Sequence, residues 1–143
     1  MTALTLVQAV TIVTATLAEG KARGFAPLCA VVLDGGGHAL ALLRDERASI
    51  ARPDIAIAKA AGCLGMGFGG RELAKRAQTV PQFFVALAPI FPKGIVPVPG
   101  GVLIRDSAGG LLGAVGVSGD TSDNDEICAL AGIAATGLTG DAG

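Results

Sequence analysis

Gly100-Gly101-Val102-Leu103-Ile104-Arg105-Asp106-Ser107-Ala108-Gly109-Gly110-Leu111-Leu112-Gly113-Ala114-Val115-Gly116-Val117-Ser118-Gly119 reads as strand, turn, strand, and the acidic run from Asp120 to Glu126 opens a helix. The two strands are apolar on both faces, so they call for cover on both sides. The carboxylates at the helix start offset its dipole. The result is a packed platform with one polar corner. Working outward, Val32-Leu33-Asp34-Gly35-Gly36-Gly37-His38-Ala39-Leu40 parallels Ile104 to Leu112: strand, Asp, glycine turn, strand. Glycine supplies the positive φ that tight hairpins require. Two such hairpins flanked by helices predict an α+β fold: a single antiparallel sheet of about five strands with helices packed on it. The predicted order is α-β-β-α-α-(β)-β-β-α.

The flanking elements follow from local signals. Gln8 lies three residues after Thr5, the spacing of a capping box. Leu6, Val10, Val13 and Leu17 then form an apolar stripe at helical spacing, and Gly24 is a stop. Pro53 and Asp54 suit the first turn of a second helix, whose small-residue face is Ile55, Ala58, Ala61 and Gly62. The glycines from Gly65 to Gly70 break it. A short helix begins at Arg71 and another spans Pro81 to Leu87. Pro89, Pro92, Pro97 and Pro99 exclude regular helix from Ala88 to Gly100 and leave Ile95 to Val98 at best an edge strand. The last helix is predicted from Ser122 to Thr136, with Ile127, Ala131, Ala134 and Leu138 as its buried stripe and a loose tail after Gly137.

Composition narrows the function classes. A chain of 143 residues is read as one domain, residues 1–143, large enough to bury a core. Eleven basic residues stand against twelve acidic ones without a basic patch, which argues against nucleic acid. Hydrophobic residues make up 51% of the chain, yet no apolar run nears the ~20 residues of a membrane helix. The excess predicts strands buried on both faces and a homo-oligomer. Met1-Thr2-Ala3-Leu4-Thr5 lacks the pattern of a secretory signal, so a cytoplasmic protein is expected. Cys29, Cys63 and Cys128 show no metal-site or disulfide spacing, and no metal is expected.

Several stretches taken in order carry a family resemblance: Val31-Val32-Leu33-Asp34-Gly35-Gly36-Gly37-His38, Asp54-Ile55-Ala56-Ile57-Ala58-Lys59-Ala60, Arg71-Glu72-Leu73-Ala74, Gly100-Gly101-Val102, Gly113 to Gly119, and Asp125 to Gly132. Together they resemble the GlcG/HbpS-like family, also called haem-degrading domains. The resemblance implies an antiparallel α+β domain that assembles into dimers, larger rings or octamers. It also implies haem as a candidate ligand, since some relatives bind it and are linked to its breakdown or to redox sensing. Others stand beside glycolate or aromatic catabolic genes. The chain differs from the family pattern at Cys63-Leu64-Gly65 and in its proline-rich Pro89 to Pro99.

The candidate site residues each admit two readings. His38, the only histidine, follows three glycines; imidazole there can ligate iron or move a proton, or it simply bonds to its own turn. Lys59 interrupts a helix of Ala and Ile, either snorkelling to solvent or aiming an ammonium into a pocket. Glu126 or Asp125 can face that pocket beside Ser118, or serve only as a helix cap. Gly100-Gly101 either offers amides to a carboxylate or makes a sharp reversal. Asp54 joins His38, Lys59, Gly100, Gly101 and Ser118 as the ligand-binding set. Two functions follow: an oligomeric protein that binds haem or another flat or carboxylated small molecule, or a cofactor-independent isomerase, hydratase or lyase acting on a small carboxylated metabolite of a catabolic pathway. In the second, Lys59 polarises a carboxylate, His38 or Glu126 moves a proton, and Pro89 to Pro99 forms a lid. Both place His38 and Lys59 in one recess.

Overall fold

The computed structural model describes residues 3–143. Its elements are α1 (Leu6–Ala22), β1 (Cys29–Asp34), β2 (Ala39–Arg44), α2 (Arg52–Met66), α3 (Gly70–Thr79), α4 (Pro81–Leu87), β3 (Gly101–Arg105), β4 (Leu111–Ser118), α5 (Ser122–Ala134) and β5 (Thr139–Asp141). All five strands lie in one antiparallel sheet, ordered β2-β1-β4-β3-β5. The two glycine-punctuated hairpins are its centre. They join through β1 and β4, with Cys29 opposite Ser118 and Asp34 opposite Gly113.

Alternation along the strands divides the core in two. Ala30, Val32, Val102, Ile104, Val115 and Val117 face α1 and α5. Cys29, Val31, Leu33, Leu103 and Ala114 face α2, with Leu73 and Phe84 from α3 and α4 closing that layer. Helices on both faces explain why β1, β3 and β4 are buried almost throughout. α2 comes so close to β4 that a Cβ on Gly116 would collide with the carbonyl of Ala56. Only glycine fits there.

The capping box forms as the spacing predicts. The Gln8 amide donates to Thr5 Oγ1 at 3.1 Å, and the Thr5 amide donates to Gln8 Oε1 at 3.0 Å. The helix faces are another matter. α1 buries Ala9, Ile12, Val13, Thr16 and Gly20; of the predicted Leu6–Val10–Val13–Leu17 stripe, Val13 is buried and Leu17 packs partly buried against the core. Leu6 and Val10 are exposed. α5 buries Asp125, Glu126, Cys128, Ala129, Gly132 and Ile133, whereas Ala134 is exposed and Ile127 and Ala131 are only half-buried. The cause lies between the two helices. A Cβ at Gly132 would press on Thr16 Oγ1, so α1 and α5 meet through their smallest residues, not their largest.

Two further expectations are corrected. Ile95 to Val98 forms no strand, because Pro97 and Pro99 remove the donors a ladder needs. The edge beside β3 belongs to the tail instead. β5 pairs with β3, Leu103 opposite Asp141, and Arg105 Nε reaches Asp141 Oδ2 at 3.0 Å. The Arg71 amide also donates to the Ala142 carbonyl at 3.0 Å, so the residues after Gly137 are docked, not loose. Among the described residues no helix is long and apolar enough to cross a membrane.

Candidate functional site

The sequence-predicted residues fall into two groups at opposite ends of the central strands. The first is the turn between β1 and β2. Asp34 Oδ1 accepts from the amides of Gly36 at 2.9 Å and His38 at 3.0 Å. The ladder closes with the Asp34 amide donating to the His38 carbonyl at 2.8 Å. Gly37 takes φ +85, which lets the chain turn back into β2. His38 is exposed, with its imidazole beside the turn: a Cβ on Gly36 would lie 3.2 Å from His38 Cδ2.

The same turn walls a recess of about 290 Å³. Its other walls are Ala61, Leu64 and Gly65 of α2 and the segment Phe91-Pro92-Lys93. Phe91 lies against α2 because Gly65 has no side chain; a Cβ there would clash with the ring. The Lys93 ammonium donates to the Gly37 carbonyl and ties that segment to the turn. The result is an apolar hollow with one cation at its rim and the only imidazole next to its glycine wall. Sequence reasoning missed Lys93; its place within the proline-rich segment was the available signal.

The second group is the polar corner where β4 meets α5. Lys59 crosses from α2 and donates to the Val117 carbonyl at 2.9 Å and to Asp125 Oδ2 at 3.0 Å. Both side chains are almost fully enclosed, 4% and 1% exposed. The Asp120 amide donates to Asp125 Oδ1 at 3.0 Å. Burial pushes the Asp125 carboxyl above its ordinary range, and the Lys59 charge opposes that shift. Gly100, at φ +115, lies against this pair; a Cβ there would sit 2.8 Å from Lys59 Nζ. Gly101 likewise leaves room for the Lys59 carbonyl and Cys63 Sγ.

Around this pair the corner continues to satisfy itself. Ser118 Oγ accepts from Arg52 Nη1 at 3.1 Å. Glu126 takes a two-point contact from Arg71, with Nε to Oε1 at 3.0 Å and Nη2 to Oε2 at 2.8 Å, and Asp123 adds a third at 2.7 Å. Asp54 stays exposed on the first turn of α2. Among the described residues every buried side-chain polar atom has a partner. The sequence points to Lys59, Glu126, Ser118, Gly100 and Gly101, and the fold brings these to one corner. Arg71 and Arg52, their partners, are far off in sequence and were not singled out.

His38 and Lys59 do not share a recess within one subunit. Val117, which Lys59 touches, and Gly113, opposite the start of the His38 turn, are four residues apart on β4. At ~3.3 Å per residue this is about 13 Å. The three cysteines are all buried. Burial raises Cys29 and Cys128 to about 11 and Cys63 to about 12, so none offers a ready thiolate.

Comparison with known proteins extends these observations. The sequence profile described as "Haem degrading protein HbpS-like" matches residues 4–134. No curated protein sequence matches the chain significantly. Among solved structures, that of HbpS is 27% identical, over 94% of this chain and 90% of that one, with a TM-score of 0.80. A double mutant of HbpS from Streptomyces reticuli is 28% identical over 94% and 87%, also at 0.80. PduOC, solved as a haem complex, shares the fold at 22% identity over 95% and 96%, with a TM-score of 0.84.

Proposed function

The chain belongs to the HbpS-like family, and from that premise we propose that it is a small-ligand-binding protein taking haem or a related tetrapyrrole at the His38 turn. The observation that carries this reading is the exposed imidazole beside an apolar hollow with a lysine at its rim. The donor chemistry fits. A neutral imidazole is a common axial ligand of haem iron. Leu64 and Phe91 offer apolar contact to a flat macrocycle, and Lys93 offers a cation to a carboxylate side arm. The buried, protonated thiols leave His38 as the better iron ligand. Haem held there would supply one-electron redox chemistry and small-molecule binding, which suits a part in its breakdown or in sensing.

The size of the hollow adds a second element. Ligand pockets run ~300–1,000 Å³, so one of about 290 Å³ covers only part of a tetrapyrrole. A second copy covering the remainder fits the apolar side chains left outside, among them Ile90, next to Phe91 of the hollow's wall. We therefore read the functional form as a homo-oligomer, a dimer or larger. The acid–base reading draws no comparable support, because Lys59 and Glu126 spend their charges on Asp125 and Arg71.

Titration with haemin, followed by the Soret band, tests the reading. The protein is expected to shift and sharpen the band with saturation, and His38→Ala to abolish the shift. No shift in the unaltered protein removes haem. The same shift in His38→Ala keeps haem and removes His38 as its ligand.

A further inference from the structure

The α3–α4 side of the molecule carries a separate recess, whose lining shares no residue with the hollow at the His38 turn. It encloses about 350 Å³. Phe83 and Phe84 line it, their rings edge to face with centroids 5.7 Å apart, and Met66 adds a polarizable thioether. Phe84 is buried, but Phe83 keeps 51% of its surface open. Beyond its edge-to-face contact with Phe84, the Phe83 ring leaves half of its surface open to a further partner.

The charged side of the recess is equally uneven. Arg76 is engaged by its surroundings: Nε contacts Glu72 Oε2 at 3.2 Å, and its guanidinium carbon lies 3.9 Å from the centre of the Phe68 ring. Lys75 lines the same recess and has no carboxylate partner among the described residues. Two cations against one carboxylate leave a net positive wall beside two phenyl rings. The geometry points to a binding site for a small aromatic carboxylate, with its ring against Phe83 and its anionic end on Lys75. Offset or edge-to-face stacking serves the ring, and a charge-assisted hydrogen bond serves the carboxylate. A volume near the lower end of ligand pockets has room for one ring with a short acid arm. Glu72 at the rim disfavours a polyanion. The site is independent of the haem reading, since none of its residues lines the hollow beside His38.

Calorimetric titration of the 143-residue chain with benzoate, and with benzylamine as the cationic counterpart, tests the inference. Benzoate is expected to bind saturably and benzylamine not to. Lys75→Glu should weaken benzoate roughly tenfold or more, the usual scale for a lost charged hydrogen bond. Lys75→Arg should retain it, and Phe83→Ala should weaken it. The haemin band should be unchanged in all three variants. Absence of saturable benzoate binding, including because a second copy covers the recess, overturns the inference. So does equal binding of benzylamine, or full affinity in Lys75→Glu.

Discussion

Lys59 stands out in the sequence because a charge interrupts an Ala and Ile helix, but its role was not legible there. Neither solvent nor an open pocket receives the ammonium. It reaches Asp125, 66 residues away, across the end of β4. Helical spacing cannot report such a contact, since it reads only neighbours on one element. The pair predicts its own mutational signature. Lys59→Met leaves a buried carboxylate without its counter-charge and should cost about 3–5 kcal/mol in urea unfolding. Lys59→Met combined with Asp125→Leu should recover most of that loss, because an apolar pair needs no desolvation offset. A single variant within about 1 kcal/mol of the parent would contradict the account. The buried thiols give a second residue-level prediction. Unfolded cysteines ionise near 9.0, whereas the folded ones hold their protons to about 11 or 12. Above pH 9 the unfolded chain therefore binds fewer protons, and rising pH favours unfolding. The thiol contribution is whole below pH 9 and declines above it. Replacing all three cysteines by alanine should flatten that decline, and Ellman's reagent at pH 8 should reach none of them until the chain unfolds. Rapid labelling of the native protein would sink this view.

Elements were easier to read than the faces they bury. Both hairpins, the capping box and the proline-initiated α2 and α4 are written in local chemistry: glycine turns, Thr5 with Gln8, Pro53, Pro81. The stripes of α1 and α5 were misread because apolarity was taken as the guide. In this fold the closest approaches are made by the smallest side chains, so Thr16 and Gly132 set the contact and Leu6 and Val10 are left outside. The C-terminal strand was missed for a related reason: three residues carry too little periodicity, and its place on β3 is secured by Arg105 and Asp141. The tightest approach predicts a sharp effect. Gly116→Ala drives a methyl into the Ala56 carbonyl, and overpacking of that kind costs about 1–3 kcal/mol or more. Thermal unfolding checks it; a variant as stable as the parent would show that α2 can move away from β4 cheaply.

At the scale of the whole molecule, the sheet explains both what was legible and what was not. Strands apolar on both faces predicted cover on both faces, and α1 with α5 on one side and α2 on the other supply it. The same sheet separates His38 from Lys59 by placing them at opposite ends of its central strands, a consequence of register that sequence does not display. The apolar residues still exposed after folding predict assembly. Sedimentation equilibrium should give a mass at least twice the 14.1 kDa of one chain; a strict monomer at micromolar concentration would remove the second copy from the ligand site. The central claim, that the glycine-turn imidazole holds a tetrapyrrole, is tested most directly by anomalous diffraction at the iron edge from crystals grown with haemin. The account predicts one iron peak per occupied site at bonding distance from a His38 ring nitrogen. An iron peak beside the Lys59–Asp125 pair or in the α3–α4 recess, with none at His38, would contradict it.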